Sequence, residues 1–195
     1  MAASKSAAPK AGTFLPMTRA EMDARGWDEL DVLIITGDAY VDHPSFGAAM
    51  IGRVLESDGL RVGIIAQPDW TKIESIQAMG TPRLFVGVTA GNLDSMLSNY
   101  TAARHKRKDD VYSEGGVPGK RPNHAGIVYS QMSRRAFPGV PVVFGGMEAS
   151  MRRVAHYDYW EDKLRPSIMA DAKADVLVYG MGESAVREIT ARLQA

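Results

Sequence analysis

The stretch that most constrains the fold is residues 31–59, DVLIITGDAYVDHPSFGAAMIGRVLESDG. Residues 32–35 form a short apolar run rich in β-branched side chains, which predicts a parallel strand buried on both faces. An amphipathic helix pattern follows, and Gly59 is placed to end that helix in the left-handed conformation. A second apolar run, residues 61–66, comes directly after it. The stretch therefore predicts a β-α-β unit, which is typical of open parallel sheets.

The same alternation of strand and helix patterns continues along the chain. Further strands are predicted at residues 84–88, 140–144 and 176–179. Predicted helices cover residues 18–25, 71–79, 93–100, 124–135, 148–160, 167–173 and 183–193. The polar residues 101–121 predict a long insertion. We therefore expect one α/β domain over residues 14–195, doubly wound around a mostly parallel sheet of about five strands in Rossmann-like or flavodoxin-like order.

Composition excludes several classes of function. Among the 195 residues there is no cysteine, and the formal net charge is zero. Disulfides and thiolate-bound zinc or iron–sulfur clusters cannot form within such a chain. The neutral charge argues against a nucleic-acid partner, and no apolar run approaches the roughly 20 residues that a membrane helix needs. We expect a cytoplasmic protein without a membrane partner, with a disordered tail at residues 1–13.

Glycine and acidic residues follow the predicted strands. The glycines are Gly37, Gly145, Gly146, Gly180 and Gly182. Each can simply turn the chain from strand to helix, since glycine tolerates a positive φ. Alternatively, they line a shared crevice at the carboxyl ends of the strands, with Asp38 and Glu183 beside them as candidate site residues.

The last strand is followed by a sequence that fits a dinucleotide-binding fingerprint. Gly180, Gly182 and Ala185 match G-x-G-x-x-A between a strand and a helix. However, Glu183 would place a negative charge beside a pyrophosphate, and the motif lies in the last β-α unit. A nucleotide-binding Rossmann domain is therefore an alternative interpretation.

The loop after the first strand contains three polar residues that lie close together in the sequence, Asp38, Asp42 and His43. We predict that Asp42 or His43 caps the following helix. Asp42 and His43 superficially resemble the D-x-H-x-x-G signature of cobalamin-binding domains, but here the two residues are adjacent, so the spacing differs. A role of His43 as a metal or cobalamin ligand is a second hypothesis, and the sequence contains no metal-spaced pair of histidines.

Residues 148–160, EASMRRVAHYDYW, form the densest polar and aromatic segment. Glu148, His156 and Tyr157 are candidate site residues within it. The same charges could instead form salt bridges beside an aromatic core. A domain interface is a third interpretation, because aromatic residues and arginine are enriched at interfaces.

Six long segments of the sequence are distinctive. They are FLPMTRAEMDARGWDELDVLIITGDAYVDHPSFG (14–47), VGIIAQPDW (62–70), FVGVTAGNLDSM (85–96), GKRPNHA (119–125), FGGMEASMRRVAHYDYWEDKLRPSI (144–168) and KADVLVYGMGE (173–183). Together they resemble the N-terminal part of YgiQ-type radical SAM proteins. The resemblance covers most of the chain after residue 13.

This resemblance implies an N-terminal α/β domain, similar to cobalamin-binding domains, in front of a radical SAM barrel. In the family, a CxxxCxxC loop of the barrel holds a 4Fe-4S cluster, at which S-adenosylmethionine is cleaved to a 5′-deoxyadenosyl radical. The present chain contains no cysteine, so no cluster ligand or catalytic residue is carried over, and no metal site is predicted. It ends before a barrel would begin, so we expect a fragment that is inactive alone.

The function expected from the resemblance is that of an accessory domain. It would cap its own C-terminal radical SAM barrel, which is absent from this chain, and help to enclose an unknown substrate or a cofactor. His156 and Tyr157 would face that barrel. The alternatives are a cobalamin-binding module without catalysis of its own and the nucleotide-binding domain described above.

Overall fold

Five parallel strands form the central sheet in the structure, a computed structural model that describes residues 14–195. The strands are β1 (Val32–Thr36), β2 (Val62–Ala66), β3 (Phe85–Thr89), β4 (Val142–Gly145) and β7 (Val176–Leu177). Their order is β2-β1-β3-β4-β7. This confirms the predicted flavodoxin-like, doubly wound α/β fold. The predicted tail at residues 1–13 lies outside the described residues.

Helices lie on both faces of this sheet. They are α1 (Arg19–Ala24), α2 (Gly47–Ser57), α3 (Glu74–Gln77), α4 (Ser95–Asn99), α5 (Ala125–Ala136), α6 (Gly146–Met151), α7 (Ile168–Ala172) and α8 (Glu183–Gln194). A short 3-10 turn, Glu114–Gly116, lies within the predicted insertion. Among residues 14–195, no helix combines the length and the apolar character needed to cross a bilayer.

Alternate side chains of each central strand enter two different cores. Leu33 and Ile35 of β1 pack on the face that is covered by α5, together with Tyr129. Val32 and Ile34 pack on the other face, which is covered by α2 and α8. Because both faces are buried, the strand is apolar from Val32 to Ile35, as the sequence predicted.

Two of the predicted helix ends are confirmed and one is wrong. Thr18 and Glu21 form a reciprocal capping box at α1, and Gly59 has a φ of +86° after α2, as predicted. The predicted cap of α2 is wrong, because the helix begins at Gly47 and has no side-chain cap. Asp42 is instead drawn to Arg53, with which it forms an ion pair.

The prediction of a helix over residues 148–160 is also wrong. Only α6 is helical there, and residues 156–165 contain an antiparallel hairpin of β5 (His156–Asp158) and β6 (Lys163–Arg165). The Asp158 carboxylate accepts hydrogen bonds from the N–H groups of Trp160 and Glu161, at 2.8 and 3.1 Å. This local bonding favours a turn over a continued helix.

Candidate functional site

A crevice of about 450 Å³ opens at the carboxyl ends of the central strands. It continues between the sheet and the two helices α2 and α8. Its inner lining is mainly apolar and includes Ile34, Phe85, Val143, Ala48, Ile51 and Val186. The crevice lies where β1 and β3 are adjacent, which is the point at which the strand order reverses. Open α/β sheets bind ligands at this position.

The crevice brings together about half of the residues that the sequence suggested. Those in its lining are Asp38, Gly145, Gly146, Gly180, Gly182 and Glu183. Six other candidates lie elsewhere: Gly37, Asp42, His43, Glu148, His156 and Tyr157. Four of the five strand-end glycines therefore line the crevice, whereas polar residues further along the loops do not.

Asp38 is buried in an ion-pair network at the end of β1. Its Oδ1 lies 2.6 Å from Nη2 of Arg121, and its Oδ2 accepts a hydrogen bond of 2.6 Å from the N–H of Asn92. The second nitrogen of Arg121 lies 3.1 Å from Asp110. Burial raises the pKa of Asp38, and Arg121 only partly opposes this effect. Because its partners occupy both of its oxygens, Asp38 acts as an anchor within the crevice wall.

Arg121 and Asp110, which the sequence analysis did not single out, attach the long insertion to the strand ends. Arg121 also donates a hydrogen bond to the Gly37 carbonyl, at 3.1 Å. The N–H of Ala39 donates to the carbonyl of Tyr112, at 2.8 Å. The insertion is therefore held against β1 by both backbone and side-chain contacts.

Glu148 lies outside the crevice lining, where it joins three helices. It is 1% exposed and accepts hydrogen bonds from Ser95 N (2.8 Å), Ser95 Oγ (2.5 Å) and Gly126 N (3.1 Å). Burial raises the pKa of Glu148, and the nearby Asp94 carboxylate raises it further. These contacts tie α4, α5 and α6 together, so Glu148 positions the wall of the crevice.

The hairpin β5–β6 is held to the domain through Arg152. Its guanidinium donates to Asp94, at 2.7 Å, and to Asp158, at 3.0 Å, and lies 3.3 Å from the ring of His156. Tyr157 remains 56% exposed on the outer side of the hairpin. The structure thus separates His156, which packs inward, from Tyr157, which is accessible to a partner.

Three potential metal ligands that the sequence did not suggest converge beside this hairpin. Ligand atoms of His124, Asp158 and Glu161 lie within 4.8 Å of one another. The carboxylates are, however, already paired with cations. Arg152 lies 3.0 Å from Asp158, and Arg165 lies 2.5 Å from Glu161. A metal ion would have to compete with these cations, so we interpret the cluster as an ion-pair network.

The loop carrying Asp42 and His43 borders the crevice. Arg53 holds the pKa of Asp42 below its ordinary value through hydrogen bonding. One ring nitrogen of His43 accepts a hydrogen bond from the N–H of Ser45, at 3.1 Å. The hypothesis that His43 is a metal or cobalamin ligand remains a prediction.

The motif from Gly180 to Ala185 follows β7 and leads into α8, in the context that a dinucleotide fingerprint requires. Glu183 is the first residue of α8 and lines the crevice. A nucleotide phosphate there would meet this carboxylate. The nucleotide-binding interpretation also remains a prediction.

Exposed apolar side chains cluster beside the crevice, and two of them, Met147 and Met181, belong to its lining. We call this cluster the strand-end apolar face, and it comprises Met147, Met151, Val154, Tyr179 and Met181, which are 46%, 55%, 58%, 65% and 87% exposed. These side chains belong to residues 147–154 and 179–181. The two segments are adjacent, because Ser150 Oγ accepts a hydrogen bond from the N–H of Gly180 at 3.0 Å. The guanidinium of Arg153 lies over the ring of Tyr179, at 5.3 Å.

Comparison with known proteins gives one family and a set of longer relatives. The profile of the family described as Radical SAM N-terminal matches residues 14–195. A UPF0313 protein of Bradyrhizobium diazoefficiens is 62% identical over 186 residues, which cover 95% of this chain and 28% of that protein. A UPF0313 protein of Thermotoga neapolitana is 64% identical over 176 residues, covering 90% of this chain and 31% of the relative. The chain thus spans less than a third of these relatives. No solved structure matches it significantly.

Proposed function

We propose that this chain, which belongs to the Radical SAM N-terminal family, serves as the accessory domain of a YgiQ-type radical SAM iron–sulfur enzyme. In this proposal the domain docks on the catalytic barrel of a longer protein and helps to enclose a substrate or cofactor in its crevice. The length of the relatives supports a partner domain, since the chain covers only 28% of the Bradyrhizobium diazoefficiens protein.

The residues of this chain do not fit an iron–sulfur cluster. Such clusters are held mainly by cysteine thiolates, and the chain has no cysteine. In the proposal, the catalytic domain therefore binds both the cluster and S-adenosylmethionine. The contribution of this chain is to bind and orient the substrate or cofactor and to shield it from water.

The observation that carries the proposal is the strand-end apolar face. Single exposed apolar residues are common on protein surfaces, but a cluster of them marks an interaction site. Met181 alone is 87% exposed at the mouth of the crevice. Burying one such side chain contributes about 1.5–3 kcal/mol, so covering the whole face would favour docking. A domain docked there would also close the crevice and exclude water from a reactive intermediate.

A chimera tests the docking. This chain would replace the corresponding N-terminal part of the Bradyrhizobium diazoefficiens relative, and hydrogen exchange would be compared between the chimera and the 195-residue chain. We expect slower exchange in the chimera at residues 147–154 and 178–183. Equal exchange at these segments in both proteins would refute docking on this face.

Charged substitutions in the chimera provide the second part of the test. Met147→Lys and Met181→Lys should reduce the formation of 5′-deoxyadenosine from S-adenosylmethionine after anaerobic cluster reconstitution. The matched control is Met17→Lys. Met17 is 38% exposed and lies near the β2 edge of the sheet, where Pro16 accepts a hydrogen bond from Ile64. Equal activity of all three variants would contradict the proposal.

A further inference from the structure

Consecutive basic residues lie exposed on the insertion between α4 and α5. They occupy residues 104–108, RHKRK, and all five are exposed. Within the described residues 14–195, none of their lysine or arginine side chains lies within ion-pair distance of a carboxylate, whereas Lys120 and Arg121 of the same insertion do. The only exposed acidic residue next to the run is Asp109. The run therefore concentrates positive charge on one loop.

This local charge is not visible in the charge of the whole chain, which is formally zero. Electrostatic attraction of a polyanion depends on how charges are distributed over the surface as well as on their sum. Acidic side chains elsewhere balance the total, but they do not pair with residues 104–108. A neutral net charge therefore does not prevent this loop from binding an anionic partner.

The basic run is held in a defined conformation. An antiparallel bridge joins Tyr100 to Lys106, and the N–H of Thr101 donates a hydrogen bond to the carbonyl of His105, at 2.9 Å. The chain thus folds back on itself between residues 100 and 106. Because the loop is already ordered, a partner that binds there pays less for immobilising it.

Aromatic residues that are distant in the sequence lie beside this loop. The guanidinium of Arg104 lies over the ring of Tyr159, 4.4 Å from its centroid, and the Tyr159 hydroxyl donates to the carbonyl of Ala102, at 3.0 Å. Tyr159 nevertheless remains 48% exposed. Its ring contacts Trp160 edge-on, at 5.4 Å between centroids, and Trp160 contacts Tyr100 at 5.3 Å. The exposed ring is therefore supported from behind.

We call residues 104–108 together with Tyr159 the basic–aromatic patch. Lysine and arginine neutralise phosphate groups, and unpaired bases stack on aromatic rings or on guanidinium planes. An acidic peptide would use the charges but would leave the stacking surface of Arg104 and Tyr159 without a partner. A lipid surface is typically bound by an amphipathic helix, whereas residues 101–110 contain no helix. The combination of charge and ring favours a single-stranded nucleic acid.

We propose that the basic–aromatic patch binds a single-stranded nucleic acid, with phosphates at residues 104–108 and a base stacked on the pair of Arg104 and Tyr159. The proposal goes beyond the accessory role and does not depend on it. The patch lies outside the lining of the crevice and shares no residue with the strand-end apolar face.

Fluorescence anisotropy of a labelled oligothymidylate, about 12 nucleotides long, measures binding to the 195-residue chain. We expect saturable binding that weakens as salt is added, because phosphate contacts release counterions. Polyglutamate should compete poorly, since it carries charge without rings, and vesicles containing phosphatidylserine should not retain the chain. Absence of binding at low salt, equal competition by polyglutamate, or retention on the vesicles would overturn the proposal.

Lys106→Gln and Lys108→Gln test the phosphate contacts. Each should reduce the slope of log Kd against log salt by about 0.7, the value for one contact with a single strand. Lys72→Gln is the matched control, because Lys72 is an exposed lysine outside the patch that pairs with Asp69. The control should leave the slope unchanged. A parental slope in both patch variants would contradict the assignment of phosphates to this loop.

Two substitutions of Tyr159 separate stacking from support of the loop. Tyr159→Leu removes the ring and should raise Kd about tenfold without changing the salt slope. Tyr159→Phe keeps the ring but loses the hydrogen bond to Ala102, and it should bind nearly as tightly as the parent chain. Equal weakening in both variants would show that the ring does not stack on a base, and would overturn that part of the proposal.

The chimera described above separates this proposal from the docking proposal. Oligothymidylate should bind the chimera as it binds the chain alone, because the patch lies outside the docking face. Loss of binding in the chimera would mean that the catalytic domain covers the patch, and the nucleic-acid proposal would fail. Exchange at residues 147–154 and 178–183 reports on docking whichever result is obtained.

Discussion

Replacing Arg121 by methionine should cost this domain a large part of its stability. The side chain of Arg121 is fully buried and pairs with two carboxylates, Asp38 at 2.6 Å and Asp110 at 3.1 Å. It also donates a hydrogen bond to the carbonyl of Gly37. Methionine retains much of the length of the side chain but provides neither the charge nor the donors. Both carboxylates would then remain buried without their common partner.

The expected size of the loss follows from this burial. Removal of one partner from a buried ion pair costs about 3–5 kcal/mol. Whole domains are stable by only about 5–15 kcal/mol, so the loss should be a large fraction of the free energy of unfolding. Burial already raises the pKa of Asp38 in the presence of Arg121. Loss of the guanidinium should raise that pKa further, and protonation of Asp38 in acid should then recover part of the stability.

Urea unfolding followed by circular dichroism measures the effect. Arg134→Met is the matched control, since Arg134 is 45% exposed and pairs with Asp175 at the surface. The control should lose no more than about 1 kcal/mol. Arg121→Lys should fall between the parent chain and Arg121→Met, because lysine retains the charge but lacks the planar fork. A loss below about 1 kcal/mol in Arg121→Met would refute the argument from burial.

Two further substitutions test the electrostatics, both through urea unfolding as a function of pH. Glu148→Gln should gain stability relative to the parent as pH rises above 4.5, because the raised pKa of Glu148 makes its ionisation costly to the folded state; a difference that is independent of pH would contradict this. Asp42→Asn should lower the free energy of unfolding by about 1 kcal/mol or less near neutral pH. Because Arg53 lowers the pKa of Asp42, this loss should disappear as pH falls below 3.8, and a loss that persists in acid would point to packing instead.

Regular backbone structure was the part of the fold most accessible from the sequence. The apolar run at residues 32–35 predicted a strand buried on both faces, and β1 is such a strand. The capping pair of Thr18 and Glu21 and the left-handed Gly59 were also predicted. These signals are local, since each depends on residues within one helical turn or one strand. Tertiary contacts did not need to be known in order to interpret them.

Contacts between side chains that lie far apart in the sequence were not predicted. Asp38 meets Arg121, which lies 83 residues later in the chain. Asp42 is of a residue type that commonly caps helices, but its carboxylate pairs with Arg53 instead. At residues 148–160 the charged and aromatic pattern fitted a helix, whereas Asp158 bonds to two backbone groups and turns the chain. In each case several partners were chemically acceptable, and packing selected one of them.

The amino-acid sequence alone predicted the parallel α/β architecture and the edge of the sheet at which the crevice lies. It did so because apolar runs and glycines act on the backbone next to them, and because strands joined by right-handed crossovers end at the same edge. The side-chain contacts at that edge became known from the packed structure. The pairing of Arg121 with Asp38 and Asp110 attaches the insertion to the ends of the strands. Such features depend on which residues become neighbours in three dimensions, and that is settled only when the layers pack.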